Sequence, residues 1–173
     1  MIYDIEYYEN MLRNYSANAE KISKIRWEFL KELKPKTVLD YGSGCGWFRA
    51  WRPSGVKVDS YDIGCYPSTG VFQESYDIVC FFDVLEHFVV LTELLPIFNK
   101  ARFIVGTIPI LPLDKPLRTW KHFKPGEHTH HRPKEDWVAT FKYLGWRVQK
   151  EGSPECPPRS DIWSFILERN GHE

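Results

Sequence analysis

Three glycines at alternate positions, Gly42, Gly44 and Gly46, end the run Val38-Leu39-Asp40-Tyr41-Gly42-Ser43-Gly44-Cys45-Gly46. Glycine lets a chain turn tightly and lets backbone N–H groups approach a ligand closely. A helix starting just behind such a turn aims its first N–H groups at an anion. A dinucleotide turn is spaced G-x-G-x-x-G; here position 47 is Trp and the spacing is G-x-G-x-G. With its third glycine one residue early, the turn suits a ligand carrying a carboxylate and an ammonium better than a pyrophosphate. Asp62 follows Gly42 by twenty residues. A carboxylate there, at the end of the next strand, can accept hydrogen bonds from both hydroxyls of a ribose.

Proton-transfer chemistry has its own candidates. Glu86-His87 lies just past an apolar run, and His128, His130 and His131 cluster further on. Glutamate and histidine are the usual general acids and bases. Glu86-His87 reads equally well as the first turn of a helix, with a Glu favoured by the helix dipole and a partly packed His. In an extended segment His128 and His130 share a face, enough for two metal ligands. No H-E-x-x-H or Cys/His quartet joins them, so no metal is expected and His128 is read as a base or a substrate contact. Between Pro109 and Lys134 stand Lys115, Arg118, Lys121, Lys124, Arg132 and Lys134 against only Asp114 and Glu127. That balance suits an anionic small molecule, or else a solvated loop. Trp120, Phe123, Tyr7, Tyr8 and Tyr15 are candidates to wall an acceptor pocket, with the core as the alternative.

The elements that must hold these groups follow from periodicity. Residues 4–34 read as one or two amphipathic helices, with Ile22, Ile25, Trp27, Phe29, Leu30 and Leu33 at helical spacing and Pro35 as the stop. Lys36–Asp40 is a strand that runs into the glycine turn, and a short helix over Trp47–Arg52 follows. Strands are predicted over Val56–Ile63, Tyr76–Phe82 and Ala101–Ile110, with a crossover helix over 84–99. The proline-rich stretch 109–133 has the length of a binding loop. A helix opens at Pro133, with Trp137, Val138, Phe141 and Leu144 on one face, and Gly145 is placed to cap it. Strands Trp146–Lys150 and Ile162–Glu168 close the chain with no helix between them, so the last inserts antiparallel. Alternating strands and helices predict a mostly parallel α/β sheet with helices on both faces.

The whole chain, 1–173, is expected to be one domain. Lys+Arg and Asp+Glu are equal at 23 each, for a net charge of zero. Nucleic-acid coats and polybasic membrane binders need a large positive field, so neither partner is expected. No apolar run reaches about 18 residues, the length of a transmembrane helix. The acidic, aromatic start is unlike a secretory signal. Cys45, Cys65, Cys80 and Cys156 show no C-x-x-C spacing, as expected of thiols in the cytoplasm.

The glycine turn VLDYGSGCG, the strand end YDI (61–63), the stretch YDIVCFFDVLEHF (76–88) and GEHTHHRPKEDWVATFKYLGW (126–146) together resemble the class I S-adenosylmethionine-dependent methyltransferases, small-molecule branch. The resemblance spans 36–168, a Rossmann-like core, with 1–34 in the position of a helical cap and 109–133 as the acceptor-side loop. It implies S-adenosyl-L-methionine as cofactor and S-adenosyl-L-homocysteine as product. Asp40 with Gly42, Ser43, Gly44 and Gly46 would hold the methionine end and Asp62 the ribose. The Phe82–Asp83 backbone would meet the cofactor amino group; the family's acidic adenine cap has no counterpart here, and Ile63 with Phe72 are the chain's own candidates to flank the ring. Glu86, His87 and His128 are the catalytic candidates that face the acceptor. Only eleven residues separate Gly64 from Tyr76, too few for the family's usual helix and third strand, so the sheet has six strands or seven. The [N/D]-P-P-[Y/F] segment of nucleic-acid amino methyltransferases is replaced by Asp83-Val-Leu-Glu. The expected function is methyl transfer to a small-molecule acceptor. A catalytically inactive cofactor-binding protein of the same fold is the alternative, and a metal-dependent hydrolase built on the histidine loop is a third reading.

Overall fold

Leu39, Ile78, Val79, Phe81, Ile104 and Val105 are buried completely, at the centre of a six-stranded sheet. The structure is a computed structural model that describes residues 5–64, 72–112, 116–123, 128–152 and 161–171, without the side chain of Tyr15. Its strands are β1 (Thr37–Tyr41), β2 (Lys57–Tyr61), β3 (Tyr76–Phe82), β4 (Ala101–Pro109), β5 (Trp146–Gly152) and β6 (Ile162–Arg169), in spatial order β2-β1-β3-β4-β6-β5. β2, β1, β3 and β4 are parallel; β6 runs antiparallel between β4 and β5. Six strands, an antiparallel end and helices on both faces agree with the expected architecture. The short segment behind Gly64 includes residues 65–71, Cys65 among them, outside the described residues.

Alternate residues of β3 serve two cores, as the two-residue period of a strand requires. Ile78, Cys80 and Phe82 pack with Trp27 and Leu30 of helix α1 (Ile5–Leu30) and Phe48 of α2 (Trp47–Ala50). Val79 and Phe81 pack with Trp137 and Phe141 of α4 (Lys134–Tyr143). Between β3 and β4 the predicted crossover helix is replaced by two 3-10 turns, Leu85–His87 and Leu91–Leu94, and a single helical turn α3 (Leu95–Phe98). Phe88 and Val90 are extended there, which a β-branched pair at Val89-Val90 favours, and Pro96 restarts the helix at its first turn.

The N-terminal segment is one helix. No Gly or Pro interrupts it, and Glu9–Arg13 and Glu20–Lys24 pair one turn apart. Its buried stripe is Ala19, Ser23, Trp27 and Leu30, whereas Ile22 faces solvent. α1 stops before the predicted Pro35, giving way to a 3-10 turn and a left-handed Lys34. α2 is also shorter than predicted, ending at Ala50.

Gly106 sits mid-β4, where an added Cβ would lie 2.5 Å from the Phe81 carbonyl oxygen and 2.8 Å from Phe165 Cζ. Gly106→Ala is therefore expected to cost about 1–3 kcal/mol through overpacking. A chemical-denaturation midpoint equal to wild type would remove this account of the β3–β4 spacing.

Candidate active site and cofactor cleft

Parallel strands bring their carboxyl ends to one edge of the sheet. Strand order reverses between β2-β1 and β3-β4, and a crevice at such a point is the general ligand site of α/β sheets. Asp40 lies near the end of β1, Asp62 just past β2 and Asp83 just past β3. All three carboxylates named from sequence stand at this switch.

The glycine turn is built as its composition requires. Gly42, Gly44 and Gly46 all have positive φ, at 76°, 53° and 76°. The N–H groups of Gly42 and Ser43 both donate to the Tyr61 carbonyl, at 2.8 and 3.0 Å, which ties the turn to β2. Gly42 is pressed against the Val84 side chain, so a Cβ would clash there. Asp40 is 2% exposed. Its Oδ2 and the Ser43 hydroxyl are buried with no hydrogen-bond partner among the described residues. Burial pushes the Asp40 carboxyl up from 3.8 to about 7, against the pull of Arg26 and with a smaller push from Asp62. An orphaned carboxylate oxygen is costly unless something pairs with it. A ligand ammonium would do so.

Asp62 is already engaged. Its Oδ2 accepts from Gly44 N at 2.8 Å, and its Oδ1 accepts from Gly64 N at 3.0 Å and from the Tyr8 hydroxyl. The Tyr8 ring lies on Gly64, and Met11 comes within 3.5 Å of where a Gly44 Cβ would be. α1 thus lies across the turn. Asp59 is committed elsewhere, accepting from Gln73 Nε2 at 2.8 Å and the Tyr76 hydroxyl at 2.9 Å. Ile63 is 71% exposed. Phe72 meets the Tyr61 ring edge-on at 5.6 Å.

Asp83 adopts φ 58°, a left-handed conformation uncommon outside glycine and tolerated by Asp. It is fixed from two sides. Its N–H donates to the Thr107 carbonyl and its Oδ1 accepts from the Thr107 hydroxyl, both at 3.0 Å. Arg26 of α1 pairs with Oδ2 at 3.2 Å and lies over the Phe82 ring at 4.2 Å. Sequence reasoning missed Arg26, Thr107 and the Tyr8–Asp62 bond. Each is a contact between distant segments, with no local spacing to betray it.

The acceptor-side candidates come together in part. The Glu86 carbonyl accepts from Thr129 N at 2.8 Å, His130 N at 3.2 Å and the Thr129 hydroxyl at 2.9 Å, pinning the histidine segment to the turn after β3. His87 and His128 meet edge-to-face at 4.8 Å. His130 departs from the face-sharing expectation: its ring packs on Trp137 at 5.4 Å, while His128 and His131 are roughly parallel at 6.2 Å. Burial and Arg132 hold the His130 imidazole below its usual value.

Among the described residues, two of the loop's cations are held in ion pairs within the protein. Lys121 pairs with Asp161 at 2.7 Å and Lys134 with Glu151. Arg132 stacks on Trp137 at 4.2 Å and donates to the Thr140 hydroxyl at 2.9 Å. Arg118 is exposed, and Lys115, Lys124, Asp114 and Glu127 lie outside the described residues. Trp120 is buried against His122 and His131, and Phe123 packs on His131 at 5.1 Å. Tyr7 is largely exposed, its ring edge-on to Tyr8 at 5.3 Å. No helix among the described residues is long and apolar enough to cross a membrane.

Comparisons with known proteins agree with this architecture. A protein from Nostoc punctiforme PCC 73102, given provisionally as an O-methyltransferase, superposes with a TM-score of 0.65 at 14% identity, over 94% of this chain and 59% of its own. Human N-acetylserotonin methyltransferase in complex with S-adenosylmethionine gives 0.64 at 14% identity, over 95% of this chain and 55% of its own. Magnesium protoporphyrin IX methyltransferase from Synechocystis PCC 6803 gives 0.58 at 17% identity, over 88% of this chain and 83% of its own. The chain thus spans little more than half the length of the first two. At these identities the likeness is one of fold, that of the class I methyltransferases. No curated protein matches the sequence. The family description "Methyltransferase domain" matches residues 9–151, from within α1 to β5, and the chain belongs to that family.

Proposed function

We propose that the protein is an S-adenosylmethionine-dependent methyltransferase acting on a small-molecule acceptor. The observation that carries this reading is the pair of orphaned buried atoms, Asp40 Oδ2 and Ser43 Oγ, beside three left-handed glycines at the switch point of a methyltransferase fold. They fit the ammonium and carboxylate of a methionine moiety. In this reading Asp40 pairs with the ammonium, and the backbone of Gly42, Ser43, Gly44 and Gly46 lines the carboxylate side. Asp62 takes the ribose hydroxyls, and Phe82 and Asp83 lie against the amino group. The bound cofactor supplies an electrophilic methyl on sulfur. The chain's own task is to orient the acceptor in line with it and to exclude water, which is most of the catalysis in such a displacement. Glu86, His87 and His128 are grouped beside the Asp83 turn, where a base can take a proton from a hydroxyl or an ammonium.

Two of the loop's described cations, Lys121 and Lys134, are paired with carboxylates of the protein itself and offer an anionic acceptor little support. A reducing, cytoplasmic setting suits Cys80, a thiol buried completely in β3.

Calorimetric titration tests the reading. S-adenosylmethionine and S-adenosylhomocysteine are each expected to bind at one site per chain, and absence of binding by both would overturn it. Asp62→Ala is expected to weaken both by about 1–3 kcal/mol, the cost of losing a charged hydrogen-bond partner. An unchanged affinity would move the ribose away from β2. Binding without turnover on any acceptor would favour an inactive binding protein.

A further inference from the structure

Glu86, His87 and His128 offer more than proton transfer. One ligating atom from each lies within 4.8 Å of the other two. Glu86 is 1% and His128 7% exposed, and His87 is partly open to solvent. The His87 Nε2 to Glu86 Oε1 distance is 3.9 Å. The grouping is made by the backbone, through the three hydrogen bonds that the Glu86 carbonyl accepts from Thr129 and His130. Two segments some forty residues apart are thereby locked together.

We propose that Glu86, His87 and His128 form a binding site for one divalent transition-metal ion. Two imidazoles and a carboxylate are the donor set of open catalytic centres, in which three protein ligands leave positions for water or substrate. The set suits Zn2+ or Mn2+ and disfavours Mg2+, which prefers oxygen ligands throughout. With metal–ligand bonds of about 2.0–2.2 Å, ligand atoms in a complex stand roughly 3–3.6 Å apart. Ligand atoms now within 4.8 Å of one another would have to close by roughly 1–2 Å at most to meet an ion. The exposed flank of His87 leaves the ion an open side.

For the reaction, this deepens the reading given under the proposed function and rests on it. An ion here would hold an oxygen of the acceptor and lower the pKa of its hydroxyl. The hydroxyl proton goes to solvent and the oxygen bonds to the methyl carbon. The carbon–sulfur bond breaks in that same displacement, its electron pair kept by sulfur, leaving the thioether. The acceptor class implied is one with a hydroxyl and room for a metal contact.

Metal binding is measured without cofactor or acceptor, so its failure is separable from failure of the methyltransferase reading. Chelator-stripped protein is titrated calorimetrically with ZnCl2, MnCl2 and MgCl2. One Zn2+ or Mn2+ per chain is expected to bind, with Mg2+ at least about tenfold weaker. His128→Ala and His87→Ala are each expected to weaken binding at least about tenfold, with His122→Ala unchanged. No saturable binding of Zn2+ or Mn2+ overturns the site, as does binding that survives loss of His128. Should His128→Ala fail to fold by circular dichroism, the partly exposed His87 decides: undiminished binding in His87→Ala overturns the proposal.

Discussion

Gly44→Arg is expected to abolish S-adenosylmethionine binding while the domain stays folded. Gly44 has φ 53°, and among the described residues a Cβ there would meet only Met11 Cε at 3.5 Å, an ordinary contact. The backbone strain of a non-glycine residue in this conformation is of order 1–3 kcal/mol, less than the stability of an ordinary domain. The arginine side chain, in contrast, must enter the space between the turn and α1, where the methionine moiety would lie. It would also bring a cation beside the ammonium that Asp40 is to hold. Loss of affinity by about a hundredfold or more, some 3 kcal/mol, is the expected reading in calorimetry. A variant that unfolds cooperatively near the wild-type temperature and binds the cofactor as wild type does would place the cofactor elsewhere.

Asp40→Asn should remove a pH dependence that wild type shows in both stability and cofactor binding. In the folded protein burial holds the Asp40 carboxyl protonated up to about 7, whereas the unfolded chain ionises near 3.8. Between these values the folded state binds more protons, so wild-type stability falls as pH rises through the window. At about 1.4 kcal/mol per pKa unit the loss reaches roughly 4 kcal/mol at its ceiling. The Asn variant lacks this slope. The empty variant is therefore expected to be more stable than wild type at about pH 8 and to converge with it near about pH 4, as read by urea midpoints. Cofactor binding should respond in the opposite sense. An ammonium beside Asp40 favours the ionised form, so wild-type affinity rises with pH through about 7, and the variant binds more weakly with that dependence gone. Parallel pH profiles for the two proteins, in stability and in binding, would detach Asp40 from the ligand.

Much of this cleft is legible in sequence because it is local. A β-branched run followed by alternating glycines has few other solutions, and Asp62 is placed by the length of one strand and one turn. The apolar run Tyr76–Phe82 and the lone antiparallel insertion follow from pattern and connectivity in the same way. Residues 84–99 mislead because their apolar content is helical in amount. Val89, Val90 and Pro96 nevertheless cut the segment into short turns that pack against the sheet. The metal-ligand trio is invisible to spacing rules, since two members lie after β3 and the third precedes α4. Only the tertiary bonds of Thr129 and His130 to Glu86 bring them together. Arg26 is unreadable for the same reason: on a helical wheel it is one charged residue among many, and its place over Phe82 depends on the docking of α1.

The hydrogen bond from Tyr8 to Asp62 makes the empty protein its own competitor. Any ligand whose hydroxyl uses that carboxylate oxygen must first evict a tyrosine borne by a helix that spans 26 residues. Apparent affinity is then the intrinsic affinity scaled by the fraction of molecules in which Tyr8 has withdrawn. Association is likewise expected to run below the rate of simple encounter, since Tyr8 must leave Asp62 before the ligand can use it. Tyr8 thereby sets a threshold that weak mimics of the ligand, which gain too little to displace it, are not expected to cross.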